Sequence, residues 1–192
     1  MRIFTDAFED SKKMDLQEKY FTIIHSLLFA INKLGGRADF HKVFKILYFA
    51  DREHLAKYGK PITNDKYFAM SNGPVPSLAY DIFKSLRSNG RISDIDLTTY
   101  FQLEGHCLVL AKANADEEYI PESAQALICH YASKFKHFSF NRLSSESHDK
   151  AWEKAFHDSE MNTLDIAKAG GANKEMLSYI SDWVETSNAV FE

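Results

Sequence analysis

Residues 40–50 predict a helix that is apolar on nearly every side. Five apolar side chains recur at helical spacing and three more fill the remaining sides of the middle turns; the eight are Phe40, Val43, Phe44, Leu47, Tyr48, Ile46, Phe49 and Ala50. A helix without a polar face belongs in the protein interior. We therefore expect this helix to be the centre of the core, with the other elements packed around it.

The flanking residues set the limits of this central helix. Asp39 is suited to the N-cap, because its carboxylate can accept the free backbone N–H groups of the first turn. Gly59 suits the left-handed position that closes a helix, and Pro61 prevents the helix from continuing. The sequence thus predicts a helix from about Asp39 to Tyr58.

A short extended run and a stiff turn follow the central helix. Residues Tyr67 to Met70 predict a strand, and Asn72-Gly73-Pro74-Val75-Pro76 predicts a turn in which two prolines fix φ on either side of Val75. One interpretation is a simple entry turn for the next helix. The alternative is a rigid surface that presents Val75 to a partner, because little conformational entropy is lost when a rigid segment docks.

The remaining pattern is mostly helical. Helices are predicted from Leu16 to Leu34, from Ser77 as N-cap to Ser88, from Pro121 to His137, from Asn141 to Ser147 and from Asn173 to Thr186, and a hairpin from Tyr100 to Leu110. The fold class is therefore α+β: a predominantly α-helical single domain with a small antiparallel β-sheet or hairpin, which the strand near Tyr67 can join. We assign residues 1–15 to an N-terminal arm and residues 16–192 to the domain.

Composition disfavours two classes of partner. Of the 192 residues, 23 are Lys or Arg and 27 are Asp or Glu, so a net charge of −4 provides no overall attraction to nucleic acid or to an anionic membrane. No apolar run approaches the roughly 20 residues of a membrane span. Acidic residues stand where a signal peptide has its apolar centre, which predicts a cytoplasmic protein.

Asp51 shares a helix face with the apolar stripe, where a carboxylate is costly to bury unless it is hydrogen-bonded. We predict that it accepts a hydrogen bond from a buried donor that joins the segments Lys45–Asp81 and Leu143–Trp152, with His148 or a backbone N–H of the Gly73 turn as candidates. The alternative is an acid that acts in catalysis or binds a partner.

A second polar cluster contains Ser144, Ser147, His148, Asp149 and Trp152. The His-Asp pair suggests a metal-dependent hydrolase, but the further ligands have no defining spacing. The alternative is that His148 is a hydrogen-bonded, partly buried side chain beside Trp152.

No other pattern indicates catalysis. The pairs His106-Cys107 and Cys129-His130 are poor zinc sites, because adjacent side chains diverge and rarely bind one ion. We predict no enzyme activity, no metal and no cofactor. The dispersed basic residues, Lys45 and Arg52 among them, are interpreted as a solvated surface.

Two blocks of the sequence resemble a known family. The segment KILYFADREHLAKYGKPITNDKYFAMSNGPVPSLAYD, from Lys45 to Asp81, is similar to the signature of the Panacea domain of SocA-like antitoxins and phage-associated proteins, and LSSESHDKAW, from Leu143 to Trp152, is similar to its second block. The family's recurrent residues fall on Tyr48, Asp51, Gly59, Pro61, Asp65, Tyr67, Gly73, Pro74, Val75, Pro76, Tyr80, Ser144, His148 and Trp152. Asn64 and Ala151 depart from the pattern, both in predicted turns.

The resemblance implies an antitoxin of a toxin-antitoxin system, which neutralises a cognate protein toxin by direct contact. It also implies, for some members, an adaptor role that delivers the toxin to a protease. We take Gly73 to Tyr80 as the candidate partner-binding surface, with the N-terminal arm as a second contributor. An alternative function is a winged-helix-like DNA-binding regulator, with Ser77 to Ser88 as recognition helix and the hairpin as wing.

Overall fold

The computed structural model describes the backbone of residues 2–189 and the side chains of residues 16–186. Its helices are α1 (Arg2–Lys33), α2 (Phe40–Tyr58), α3 (Ser77–Ser88), α4 (Glu122–Phe135), α5 (Phe140–Ser147), α6 (Lys150–Lys154), α7 (Thr163–Ala169) and α8 (Lys174–Ala189). Its strands are β1 (Arg37–Asp39), β2 (Tyr67–Met70), β3 (Gly73–Pro76), β4 (Arg91–Ile92), β5 (Ile95–Asp96), β6 (Phe101–Glu104) and β7 (Leu108–Ala111). The predicted class, mostly helical with small antiparallel sheets, is confirmed.

Helix α2 is the predicted central helix, and both of its ends are the predicted ones. The Asp39 side chain accepts the N–H of His41, and Gly59 closes the helix at φ 72° while its N–H donates to the Leu55 carbonyl. Both caps rely on residues adjacent in sequence, which is why they were predictable.

The core surrounds α2, which packs against α1, α4, α5 and α7. The fully or almost fully buried apolar side chains of α2 are Val43, Phe44, Ile46, Leu47, Tyr48, Phe49, Ala50 and Leu55. Aromatic rings provide much of the packing: the ring centroids of Phe40 and Phe83 are 4.3 Å apart, and those of Phe49 and Phe135 are 4.9 Å apart. The prediction that this apolar helix is the centre of the core is confirmed.

The strand pairing differs from the prediction. Gly73–Pro76 is strand β3 rather than a free turn, and it pairs antiparallel with β2. The predicted hairpin β6–β7 is present, but its third strand is β1 and not β2. Prolines at 74 and 76 lack an N–H to donate, so their sequence resembled a turn.

Strand β2 has hydrogen-bonded neighbours on both sides. On one side lies β3; on the other, residues 158–161 run alongside. The N–H of Ala69 donates to the Ser159 carbonyl over 2.9 Å, and the N–H of Met161 donates to the Tyr67 carbonyl over 2.7 Å. The loop after α6 therefore completes this small sheet.

Helix α3 is capped from a distance. Ser77 was predicted as its N-cap but is its first residue. The observed N-cap is Pro76, which has no side chain that can accept a backbone N–H. Instead Asp65 accepts the N–H groups of Leu78 and Ala79, at 2.9 and 3.0 Å. Burial raises the pKa of Asp65 to about 6 despite these hydrogen bonds.

Helix α1 begins at Arg2, so the backbone of the predicted N-terminal arm continues this helix. The side chains of residues 1–15 lie outside the described part of the chain, and the role of the arm stays a prediction. Within the described residues, no helix has both the length and the apolarity needed to cross a membrane.

Candidate functional site

The two sequence blocks meet at the carboxylate of Asp149. One of its oxygens accepts the Tyr48 hydroxyl over 2.8 Å and pairs with the Arg52 guanidinium over 2.6 Å. The other accepts the N–H groups of Ala151 and Trp152 and so caps α6. Burial and the nearby carboxylate raise the pKa of Tyr48, which keeps it a hydrogen-bond donor. One carboxylate thus joins the central helix to the second block.

A second connection runs between α2, β3 and the end of α5. The ammonium group of Lys45 donates to the Pro74 carbonyl over 2.7 Å. Gly73 has φ 95°, and a Cβ at this position would contact Ser147 Oγ and lie 2.9 Å from Lys45 Cε. A side chain at residue 73 is therefore excluded by both backbone geometry and space.

The prediction that Lys45 and Arg52 belong to a solvated surface is wrong. Only 1% of Lys45 is exposed, and 17% of the Arg52 side chain. The Arg52 guanidinium also lies over the Phe49 ring, 4.5 Å from its centroid. Both residues are on the central helix α2, so their side chains are buried although they are charged residue types.

His41, one turn before Lys45 on α2, contacts both blocks. Its Nε2 lies 3.2 Å from the Asn72 carbonyl oxygen and 3.0 Å from Ser144 Oγ. Its ring stacks on Phe140 with centroids 4.0 Å apart. Burial, with a smaller effect of the Lys45 charge, lowers the pKa of His41 to about 4, so this imidazole is neutral at pH 7.

His148 and Trp152 form one stacked pair. Their rings are nearly parallel, at 6°, with centroids 3.7 Å apart, and the Trp152 indole N–H donates to the Met70 carbonyl over 2.9 Å. The expected position of His148 beside Trp152 is confirmed. Its Nε2 is buried without a hydrogen-bond partner among the described residues, while the ring is hydrogen-bonded to the backbone of Ser71.

Asp51 is buried and hydrogen-bonded, as predicted, but by different donors. Its carboxylate accepts the N–H of Ile62 over 2.5 Å, the N–H and hydroxyl of Thr63 over 3.1 and 2.6 Å, and the Tyr67 hydroxyl over 2.6 Å. Neither His148 nor the Gly73 turn is a donor, so the prediction of a link between the two blocks at Asp51 is wrong. Burial raises the pKa of Asp51 although these donors oppose it.

A cleft of about 540 Å³ lies beside this junction, between the first half of α2, the β2–β3 hairpin and α3. It is lined by Asp39, Phe40, His41, Phe44, Lys45, Phe68, Met70, Ser71, Asn72, Val75, Ser77, Tyr80, Asp81, Arg87, Cys107 and Phe140. Met70, Tyr80 and Phe140 are large apolar side chains that remain 39%, 43% and 49% exposed. The cleft therefore presents an apolar rim to solvent.

The structure divides the predicted site residues into three groups. Val75 and Tyr80 line the cleft, Val75 as a half-buried wall rather than a fully presented side chain. The block junction holds Tyr48, Gly73, Pro74, Ser144, His148 and Trp152. Asp51 lies apart in the turn after α2, and Pro76 is buried immediately before α3.

The cleft residues that were not predicted as site residues include His41, Lys45, Met70 and Phe140. Lys45 and His41 are one helical turn apart, so a search for polar residues on the buried helix would have found them. Met70 and Phe140 carry no such signal, because only the tertiary arrangement brings the ends of β2 and α5 together.

The hydrolase alternative finds its two proposed ligands engaged elsewhere: Asp149 pairs with Arg52 and caps α6, and His148 stacks on Trp152. Across the described residues, no group of three or more His, Cys, Asp or Glu side chains is placed to hold a metal ion.

Comparison with known proteins identifies the family of this chain. The family described as "Antitoxin SocA-like, Panacea domain" matches residues 43–153, which is more than half of the chain and includes both blocks and most of the cleft. No curated protein and no solved structure matches the chain. By the extent of this match, the protein belongs to the SocA-like antitoxin family and contains its Panacea domain.

Proposed function

We propose that the protein is a cytoplasmic antitoxin that neutralises a protein toxin by binding it at the cleft, without catalysing a reaction. The observation that carries this proposal is the apolar rim formed by Met70, Tyr80 and Phe140, all inside the matched family region. Large aromatic and Met side chains at the centre of a contact supply most binding energy in protein complexes.

The surroundings of the cleft support a binding role. Gly73, Pro74 and Pro76 are buried and fixed by β3, so the wall that carries Val75 is held in one shape before a partner arrives. A preformed surface loses little conformational entropy on docking. The toxin would meet side chains projecting from a rigid hairpin and two helices.

The first test is co-expression with the product of the neighbouring gene. Growth should be restored by this protein, and the two proteins should purify together as one complex. Failure to form any complex with a neighbouring-gene product that stops growth would contradict the proposal. If the protein also acts as an adaptor for a protease, co-expression should shorten the half-life of the toxin as well as block its activity.

The second test locates the contact. Tyr80→Ala should weaken the complex by about 30-fold, since a central aromatic residue typically contributes about 2 kcal/mol. Tyr58→Ala is the matched control, because Tyr58 is 52% exposed but lies at the opposite end of α2, roughly 20 Å along the helix from the cleft residue Lys45. Equal affinity of the two variants would exclude the cleft as the toxin-binding surface.

A further inference from the structure

Lys45 is a buried cation with incomplete partners. An ammonium group has three N–H donors. The Pro74 carbonyl accepts one of them, and no carboxylate of the described residues lies within ion-pair distance. Buried charges in proteins are normally paired, because an unpaired one is costly. When Lys45 is protonated, two of its donors are therefore available to a partner that reaches the group.

The position of Lys45 gives such a partner access. Although its side chain is almost fully buried, Lys45 lines the cleft, so it belongs to the inner wall behind the exposed rim. Burial lowers the pKa of Lys45 to about 7. A negative group brought into the cleft would restore the charged form of the lysine and pair with it.

The acids that line the cleft do not neutralise Lys45. Asp39 is engaged by the N–H of His41 at the start of α2, and Asp81 is exposed on α3. Arg87, the other strong cation of the cleft, lies over Phe40 and donates to the His106 carbonyl. The inner wall is thus positive at Lys45 while its neighbours Phe44 and Val75 are apolar.

We propose that the cleft binds a segment of the toxin in which an aromatic or aliphatic side chain stands next to a carboxylate, and that the carboxylate pairs with Lys45. The identification of the partner as the toxin rests on the proposed function; the chemistry of the segment rests on the cleft. A carboxylate can accept hydrogen bonds from the two remaining N–H donors of the Lys45 ammonium group and neutralise its charge. A phosphate dianion would bring more charge into an apolar site than one lysine offsets.

The test uses two small probes and the full-length chain. N-acetylphenylalanine carries an aromatic ring and a carboxylate, whereas N-acetylphenylalanine amide lacks the carboxylate. Titration followed by NMR should show the acid binding at least ten times more tightly than the amide, with shifts at cleft residues. Equal binding, or no binding of either probe at millimolar concentration, overturns the proposal.

Two variants assign the effect to Lys45. Lys45→Met keeps the length of the side chain and removes its charge, and it should abolish the preference for the acid. Lys42→Met is the control, because Lys42 is on the same helix and donates to the Lys136 carbonyl instead; it should keep the preference. A preference that survives in Lys45→Met overturns the proposal.

The unmodified protein gives an independent readout if Lys45→Met fails to fold. The Lys45 side-chain NMR signals should shift when N-acetylphenylalanine binds and stay in place with the amide; binding of the acid that leaves these signals unchanged overturns the proposal. Because neither probe involves the toxin, this result is separate from the co-expression test. Acid-selective binding without a toxin complex would contradict the proposed function alone.

Discussion

At the scale of single residues, buried polar side chains connect segments of the chain through hydrogen bonds. Asp51 accepts four hydrogen bonds from the turn and strand that follow α2, although it was expected to connect the two blocks. Asp149, 101 residues after Tyr48, makes that connection. The local pattern showed that the Asp51 carboxylate needs hydrogen-bond donors. The contact between Tyr48 and Asp149 spans 101 residues, so no periodic pattern in the sequence could indicate it.

Asp51→Asn should lower the free energy of unfolding by about 2 to 4 kcal/mol, because an amide replaces one acceptor oxygen and leaves buried donors unpaired. Urea denaturation measures this change. Asp81→Asn is the control: Asp81 is exposed, so its replacement should change stability by less than about 0.5 kcal/mol. Equal effects of the two substitutions would contradict the assigned role of Asp51.

His41 should destabilise the folded protein progressively as the pH drops from about 6.5 to 4. The folded protein keeps this imidazole neutral, with a pKa of about 4 against an ordinary 6.5, so only the unfolded chain takes up the proton in this range. Asp65, with its raised pKa, acts in the opposite direction over part of the same range.

Comparison with His41→Gln isolates the histidine contribution, because glutamine can still hydrogen-bond but does not titrate. The urea midpoint of His41→Gln should fall less than that of the unmodified protein between pH 7 and pH 4.5. Parallel pH profiles of the two proteins would show that His41 is not the group responsible.

At the scale of elements, prediction succeeded where the signals are local. The limits of α2 follow from Asp39 and Gly59, and β2 was found at its observed limits. The pairing of β3 was missed because two prolines make its sequence look like a turn. Both are tolerated in the strand because β3 pairs with β2 on one side only. The short helix α7 was missed because its seven residues give too few turns for a periodic signal.

Gly73→Ala tests the close packing of β3 on α2. The substitution should cost about 2 to 3 kcal/mol, because positive φ disfavours any side chain and the new Cβ would meet Lys45 and Ser147. Gly35→Ala is matched in backbone geometry, with φ 101° against 95°, but nothing lies within 4 Å of its Cβ position. It should cost only about 1 kcal/mol, and thermal or urea unfolding should resolve the difference.

At the scale of the whole molecule, part of the hydrophobic core comes from residues outside the matched family region. Helix α1 lies before residue 43, yet six of its apolar side chains are fully buried: Ile23, Ile24, Leu27, Leu28, Ala30 and Ile31. They pack against α2 and α4. We therefore expect residues 16–192 to fold as one unit, as the sequence predicted, rather than residues 43–153 alone.

A fragment of residues 43–153 should show no cooperative unfolding transition, because it exposes the apolar surface that α1 covers. A fragment of residues 16–192 should unfold in one cooperative transition, measured by circular dichroism during heating. A cooperative transition in the shorter fragment would show that α1 is dispensable for the domain.

Strand β2 is bonded along one edge by β3 and along the other by residues 158–161. A visiting polypeptide therefore cannot extend this sheet by pairing its main chain with β2. If the cleft binds the toxin as proposed, exchanging Met70 or Tyr80 should alter which toxins are accepted while the hydrogen bonds that hold the scaffold stay intact. Such a surface can acquire new targets without refolding.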